Sequence, residues 1–166
     1  KMSMQINCRN FYRSVLTELS VWFLWANFLN YKIFRFVYCF SYLRPMLKDK
    51  IKSLASKFHS DIVACRRHLH MNPELSFQEF NTQKFVEEKL KEYGITNQHR
   101  LANTGVVALI EGKNPGKKVV ALRADMDALP IVETNNVDYK SKNTGVMHAC
   151  GHDVHTSSLL GVVRIL

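Results

Sequence analysis

What the chain lacks narrows it first. Its four cysteines (Cys8, Cys39, Cys65, Cys150) form no CxxC pair. Neither a disulfide framework nor a four-cysteine zinc site is therefore indicated, and a reducing compartment is expected. The longest charge-free apolar run, "LSVWFLWANFLNY" (19–31), has 13 residues, short of the ~20 needed to span a bilayer. None of the seven glycines lies in residues 1–45, although that stretch holds 12 of the 18 aromatic residues. There is no internal repeat and no low-complexity tract, and no acidic residue follows Asp153.

What is present fits one globular domain: 166 residues, 46% apolar and 22% charged. The net charge of +9 first suggests a nucleic-acid or membrane partner. Its distribution argues otherwise, because six basic residues against Glu18 give residues 1–45 a charge of +5, leaving +4 for residues 46–166. Composition changes abruptly at Met46, which divides the chain into an aromatic, basic extension (1–45) and a regular segment (46–166). The extension is open to three readings: a signal peptide without a clear cleavage site, a membrane-associated helix, or sequence upstream of a start at Met46. No nucleic-acid partner is expected, and membrane contact would run through residues 1–45 alone. A cytoplasmic location is expected, with membrane association the alternative if residues 1–45 are genuine.

From Met46 the apolar residues Leu47, Ile51, Leu54, Phe58, Ile62 and Leu69 recur at three-, four- and seven-residue steps, the stripe of a long helix. Pro73 should end it near 70–72. A second helix is signalled by Ser76 and Glu79 as a capping box, by Phe80, Phe85 and Leu90, and by Gly94 as terminator. "GVVALIEG" and "KKVVALRAD" read as strands that pair across the turn "KNPG". A last helix runs from about Asp153 to Leu166 and is expected to be cut off. This order is α/β.

The chemistry gathers in "MHACGHDVH" (147–155). Cys150 and His152 are separated by one residue, so in an extended backbone both would face the same side and could reach one ion. Gly151 permits a sharp path between them. Thiolate and imidazole suit zinc or a related transition metal. Two ligands do not complete a site; His148, His155, Asp125, Asp127 and Asp153 are the further candidates, as ligands or as supporting groups around them. Asp125 and Asp127 lie just past an apolar strand in "LRADMDALP", where α/β sheets hold ligands. His68 and His70 read as packing or helix-end residues, because histidine is favoured at a helix C-terminus.

Together "RRHLHMNPELSFQE", "ALRADMDALP" and "MHACGHDVHTSSLLG" closely resemble the M20 metallopeptidase family. The nearer branch contains N-acyl-amino-acid amidohydrolases, hippurate hydrolases and hydrolases of indoleacetate–amino-acid conjugates. The resemblance covers residues 46–166. It implies the N-terminal part of a zinc-exopeptidase-like catalytic domain, a mixed sheet flanked by helices. It further implies divalent zinc or manganese, two ions in the complete enzyme, a small N-acyl amino acid or peptide-like substrate, and a homo-oligomer. Cys150 and His152 match the family's ligands. Asp127 matches an aspartate that steadies the metal site, while Asp125 stands where other branches carry a ligand histidine. The family's Glu-Glu pair, which supplies the general base, and its later histidine ligands match nothing here. Hydrolysis of an amide by an incomplete site is thus the primary expectation, with a catalytically inactive metal-binding product or a membrane-associated protein as alternatives.

Overall fold

The computed structural model describes residues 3–9 and 31–166, with side chains from Pro45 onward. The order is β1 (Ser3–Arg9), α1 (Tyr31–Met71), α2 (Phe80–Glu92), β2 (Gln98–Leu101), β3 (Gly105–Glu111), β4 (Val120–Asp125) and α3 (His152–Ile165). The apolar run 19–30, with its signal-peptide and membrane readings, lies outside the described residues. Among those described, no helix is long and apolar enough to cross a membrane.

The sheet is mixed, in the order β2-β3-β1-β4. The two apolar strands do not pair with each other as their adjacency in sequence predicts. β1 lies between them, parallel to β3 (Ile6 opposite Ala108) and antiparallel to β4 (Ile6 opposite Leu122). The residues between β3 and β4 therefore bridge one intervening strand, a gap of roughly 10 Å at the usual strand spacing, instead of closing a tight hairpin. The signal was available: "SMQINCR" alternates Met4, Ile6 and Cys8 with polar residues, the period of a strand. Part of the amino-terminal extension is consequently a sheet element. β2 pairs antiparallel with β3, and the chain turns between them with Ala102 and Asn103 at φ 51° and 72°.

The chain divides into two units, residues 1–11 with 58–166, and residues 12–57. In the second, α1 runs through Pro45 and Met46 without a break, so the change in composition is not a change in structure. Ile51 is exposed there, and of the predicted stripe only Leu69, near the end of the helix, is buried. The helix ends at Met71, two residues before Pro73, where the sequence placed it.

In the larger unit, α2, α3, β3 and β4 share one apolar core of Val86, Leu90, Val106, Ala108, Ala124, Met126, Leu159, Leu160 and Val163. α2 ends in a paired-bond motif: Gly94 adopts φ 84°, its N–H reaches Lys91 O, and the Ile95 N–H reaches Leu90 O at 2.8 Å. Its start differs from the capping box expected of Ser76. Glu79 is the capping residue, but its carboxylate accepts the Thr104 hydroxyl at 2.6 Å and caps no helix N–H, and it is the Glu74 carboxylate that accepts the Asn81 and Thr82 N–H groups at 3.2 and 2.8 Å. A carboxylate here complements the positive end of the helix.

Candidate metal centre

Two short contacts bring the motifs together. The Ala128 N–H donates to Glu74 O at 2.7 Å, and Leu129 and Met147 exchange reciprocal backbone bonds at 3.0 Å. "DMDALP" is thereby held beside "MHACGH". Gly151 then takes φ 82° as the N-cap of α3, and His152 is the first helical residue. The left-handed turn replaces the extended path expected between Cys150 and His152. As a result the two differ in setting: Cys150 is exposed and His152 is buried. Only glycine takes that backbone conformation without strain.

His152 is fixed by a single neighbour. Its Nδ1–H donates to the Asp127 carboxylate at 3.0 Å and to the Asp127 carbonyl at 2.9 Å. With Nδ1 carrying the proton, Nε2 keeps its lone pair, the arrangement by which carboxylates orient ligand imidazoles. Asp127 is itself 7% exposed.

The remaining candidates fall in different places. Asp125 turns its carboxylate to the Arg123 guanidinium at 3.0 Å, and its carbonyl accepts the Thr156 hydroxyl at 2.9 Å. His155 lies on the first turn of α3 with its ring 5.7 Å from that of His152. His148 is buried, and neither of its ring nitrogens has a hydrogen-bond partner. Burial is the main cause that pushes its pKa down to about 4; the charges of Asp153 and Asp127 work the other way. Asp153 is fully buried and belongs to a separate cluster with Arg66, His70 and Glu133.

That cluster was not anticipated. His70 read as a helix-end residue, yet its Nδ1 meets Asp153 Oδ2 at 2.7 Å and its Nε2 meets Glu133 Oε1 at 3.1 Å. The Arg66 guanidinium stands 2.9 Å from the same Asp153 oxygen. Glu133 also accepts the Ser141 N–H at 2.7 Å and the Asn135 amide at 3.2 Å. Burial would raise the Glu133 carboxyl, but these donors hold it below the usual carboxylate range. His68, by contrast, stacks on Phe85 at 4.2 Å, a packing role as expected.

Among the described residues, no three His, Cys, Asp or Glu side chains are arranged to hold a metal ion. The chemistry still suits one. An oriented imidazole, a neighbouring accessible thiol and a buried histidine with two unpartnered nitrogens form a soft N/S donor set.

Comparison with known proteins places the chain among related sequences. The profile of peptidase family M20/M25/M40 matches residues 121–166. An N-acyl-L-amino acid amidohydrolase of Geobacillus stearothermophilus is 53% identical over 120 residues, 72% of this chain and 32% of that protein. The thermostable carboxypeptidase 2 of Saccharolobus solfataricus is 49% identical over 121 residues, 72% of this chain and 30% of that protein. Among solved structures, the Bacillus subtilis YXEP protein, described as a dinuclear metal-binding peptidase from the M20 family, superposes with a TM-score of 0.59 at 41% identity, covering 66% of this chain and 30% of that one. The chain spans about a third of the length of the curated relatives it matches.

Proposed function

The chain belongs to peptidase family M20, and on that premise we propose that it supplies the first ligands of the metal centre of an amidohydrolase acting on N-acyl amino acids or related peptide-like conjugates. One observation carries this reading: Asp127 holds His152 by Nδ1, which leaves Nε2 as the coordinating nitrogen two residues along the chain from Cys150. The Cys150 thiolate and His152 Nε2 are the proposed ligands. Asp127 is the group that orients His152, residues 46–166 are the catalytic part of the chain, and zinc or manganese is the ion.

When bound, a divalent ion supplies Lewis-acid polarisation of the scissile carbonyl and lowers the pKa of water toward ~7. The chain's own residues do the positioning. Asp127 keeps the proton on Nδ1, which fixes the tautomer and the orientation in which Nε2 faces an ion. His148 and His152 are both buried. Proton transfer from water to the leaving amine calls for a general base, the role the resemblance gives to a Glu-Glu pair. No acid follows Asp153, so no residue of this sequence matches the family's Glu-Glu pair. The 166-residue chain by itself is therefore expected to bind metal without turnover.

Titration of the chain with Co2+ tests this. A near-ultraviolet thiolate-to-cobalt band that disappears in Cys150→Ala is expected, together with no hydrolysis of N-acetyl amino acids or hippurate in the presence of Zn2+ or Mn2+. Absence of the band in the unaltered chain refutes the ligand assignment. Turnover that is lost in Cys150→Ala refutes the incompleteness of the site.

A further inference from the structure

His70 has no part in the chemistry described above, yet it is tightly constrained. It is 4% exposed, on the last turn of α1, and each ring nitrogen meets a different buried carboxylate. Asp153 comes from the first turn of α3, and Glu133 from the segment after β4, whose Ser141 N–H it also holds. A ring bonded at both nitrogens has one permitted orientation. It therefore sets the separation of three segments: the end of α1, the 133–141 stretch, and the turn that begins α3.

Such a cluster is a poor way to gain stability. Removing carboxylates from water costs several kcal/mol each, and ion pairs inside a protein return little more than apolar residues of the same volume would. What the cluster does supply is register. Asp153 follows His152 directly, and its Oδ2 meets His70 Nδ1 at 2.7 Å with the Arg66 guanidinium 2.9 Å away. The turn carrying the proposed ligands is thus braced twice. Asp127 holds the His152 ring, and His70 holds the adjoining residue.

We infer that His70 is a positioning residue for the metal centre, fixing through Asp153 and Glu133 the turn that presents Cys150 and His152. The inference rests on the reading of those two residues as ligands. It goes beyond that reading by giving a role to a residue far from both in sequence.

Co2+ titration of the 166-residue chain separates the possibilities, because it reads the ligand field directly. In His70→Phe, which keeps the size of the ring and loses both bonds, Co2+ affinity falls about 10- to 100-fold, the range for groups that hold ligands. The thiolate band shifts or weakens at saturation, while far-ultraviolet circular dichroism is retained. Asp153→Asn keeps the shape and one oxygen, and it moves affinity in the same direction by a smaller factor. If either variant with the unaltered dichroism spectrum binds Co2+ with the original affinity and band, His70 is a packing residue and the inference fails. A lowered urea midpoint with unchanged cobalt spectra overturns it equally. If the unaltered chain shows no thiolate band, the ligand reading fails first and is recognised separately.

Discussion

Replacing Asp127 with asparagine separates a group that orients a ligand from one that is a ligand. The His152 Nδ1–H has two acceptors, the Asp127 carboxylate at 3.0 Å and the Asp127 backbone carbonyl at 2.9 Å. Asp127→Asn removes the charge but not the carbonyl, so the proton stays on Nδ1 and Nε2 remains the coordinating nitrogen. What is lost is the difference between a charge-assisted and a neutral hydrogen bond, about 1 kcal/mol. Zn2+ affinity should fall about tenfold, about 1.4 kcal/mol, at the low end of the range for groups that support metal ligands. Asp127→Ala should lie nearer the upper end, since a buried ring then relies on the carbonyl alone. Competition with a chromophoric zinc chelator measures both. Unchanged affinity in Asp127→Asn would refute the orienting role. A loss beyond about a thousandfold would refute it in the other direction, because it exceeds the range for groups that only support a ligand.

Two further outcomes are expected. Leu160 is fully buried in the core shared by α3, α2 and the sheet, so Leu160→Ala should cost about 2–5 kcal/mol; a shift in urea midpoint equivalent to less than about 1 kcal/mol would mean that this core is not formed in solution. Stability of the metal-free chain should also fall as pH drops. Burial is the leading cause holding both His148, at about 4, and His68 below the ordinary imidazole value. The unfolded chain then binds more protons than the folded one, and the stabilisation present above about pH 6.5 is lost as pH falls toward 4. Urea titrations at about pH 7 and about pH 5 in the presence of a chelator check the sign, and equal stability at the two values would contradict it.

Local features were legible where one residue type decides the outcome. Pro73 ended α1 and Gly94 ended α2, each within two residues of the element's boundary. The apolar composition of β3 and β4 marked them as strands. The pairing of those strands was not legible, because adjacency in sequence argues for a hairpin while β1 occupies the position between them. β2 was missed for another reason: "QHRL" is polar and largely exposed, and it is a strand because its backbone pairs with β3. In the site, composition picked out Cys150 and His152, and family resemblance picked out Asp127. The extended geometry inferred from their spacing failed because Gly151 adopts a left-handed turn. Glu133 and Arg66 gave no signal at all, since nothing in local spacing links them to a residue as distant as Asp153.

That contrast bears on how the proposed ligand pair is built. The nine residues from Met147 to His155 carry the donor atoms but not their arrangement. Leu129 holds Met147 by reciprocal backbone bonds, Asp127 fixes the His152 ring, and His70 with Arg66 fixes Asp153. Each of these partners comes from earlier in the chain, and each acts on a different residue of the motif. The entropy of ordering the turn is therefore met by folding of the larger unit, before any ion arrives. An oriented Nε2 needs no further ordering when metal binds, whereas the exposed Cys150 does. The histidine side of the proposed centre is accordingly preorganised by the fold, and the cysteine side would be left for the ion to complete.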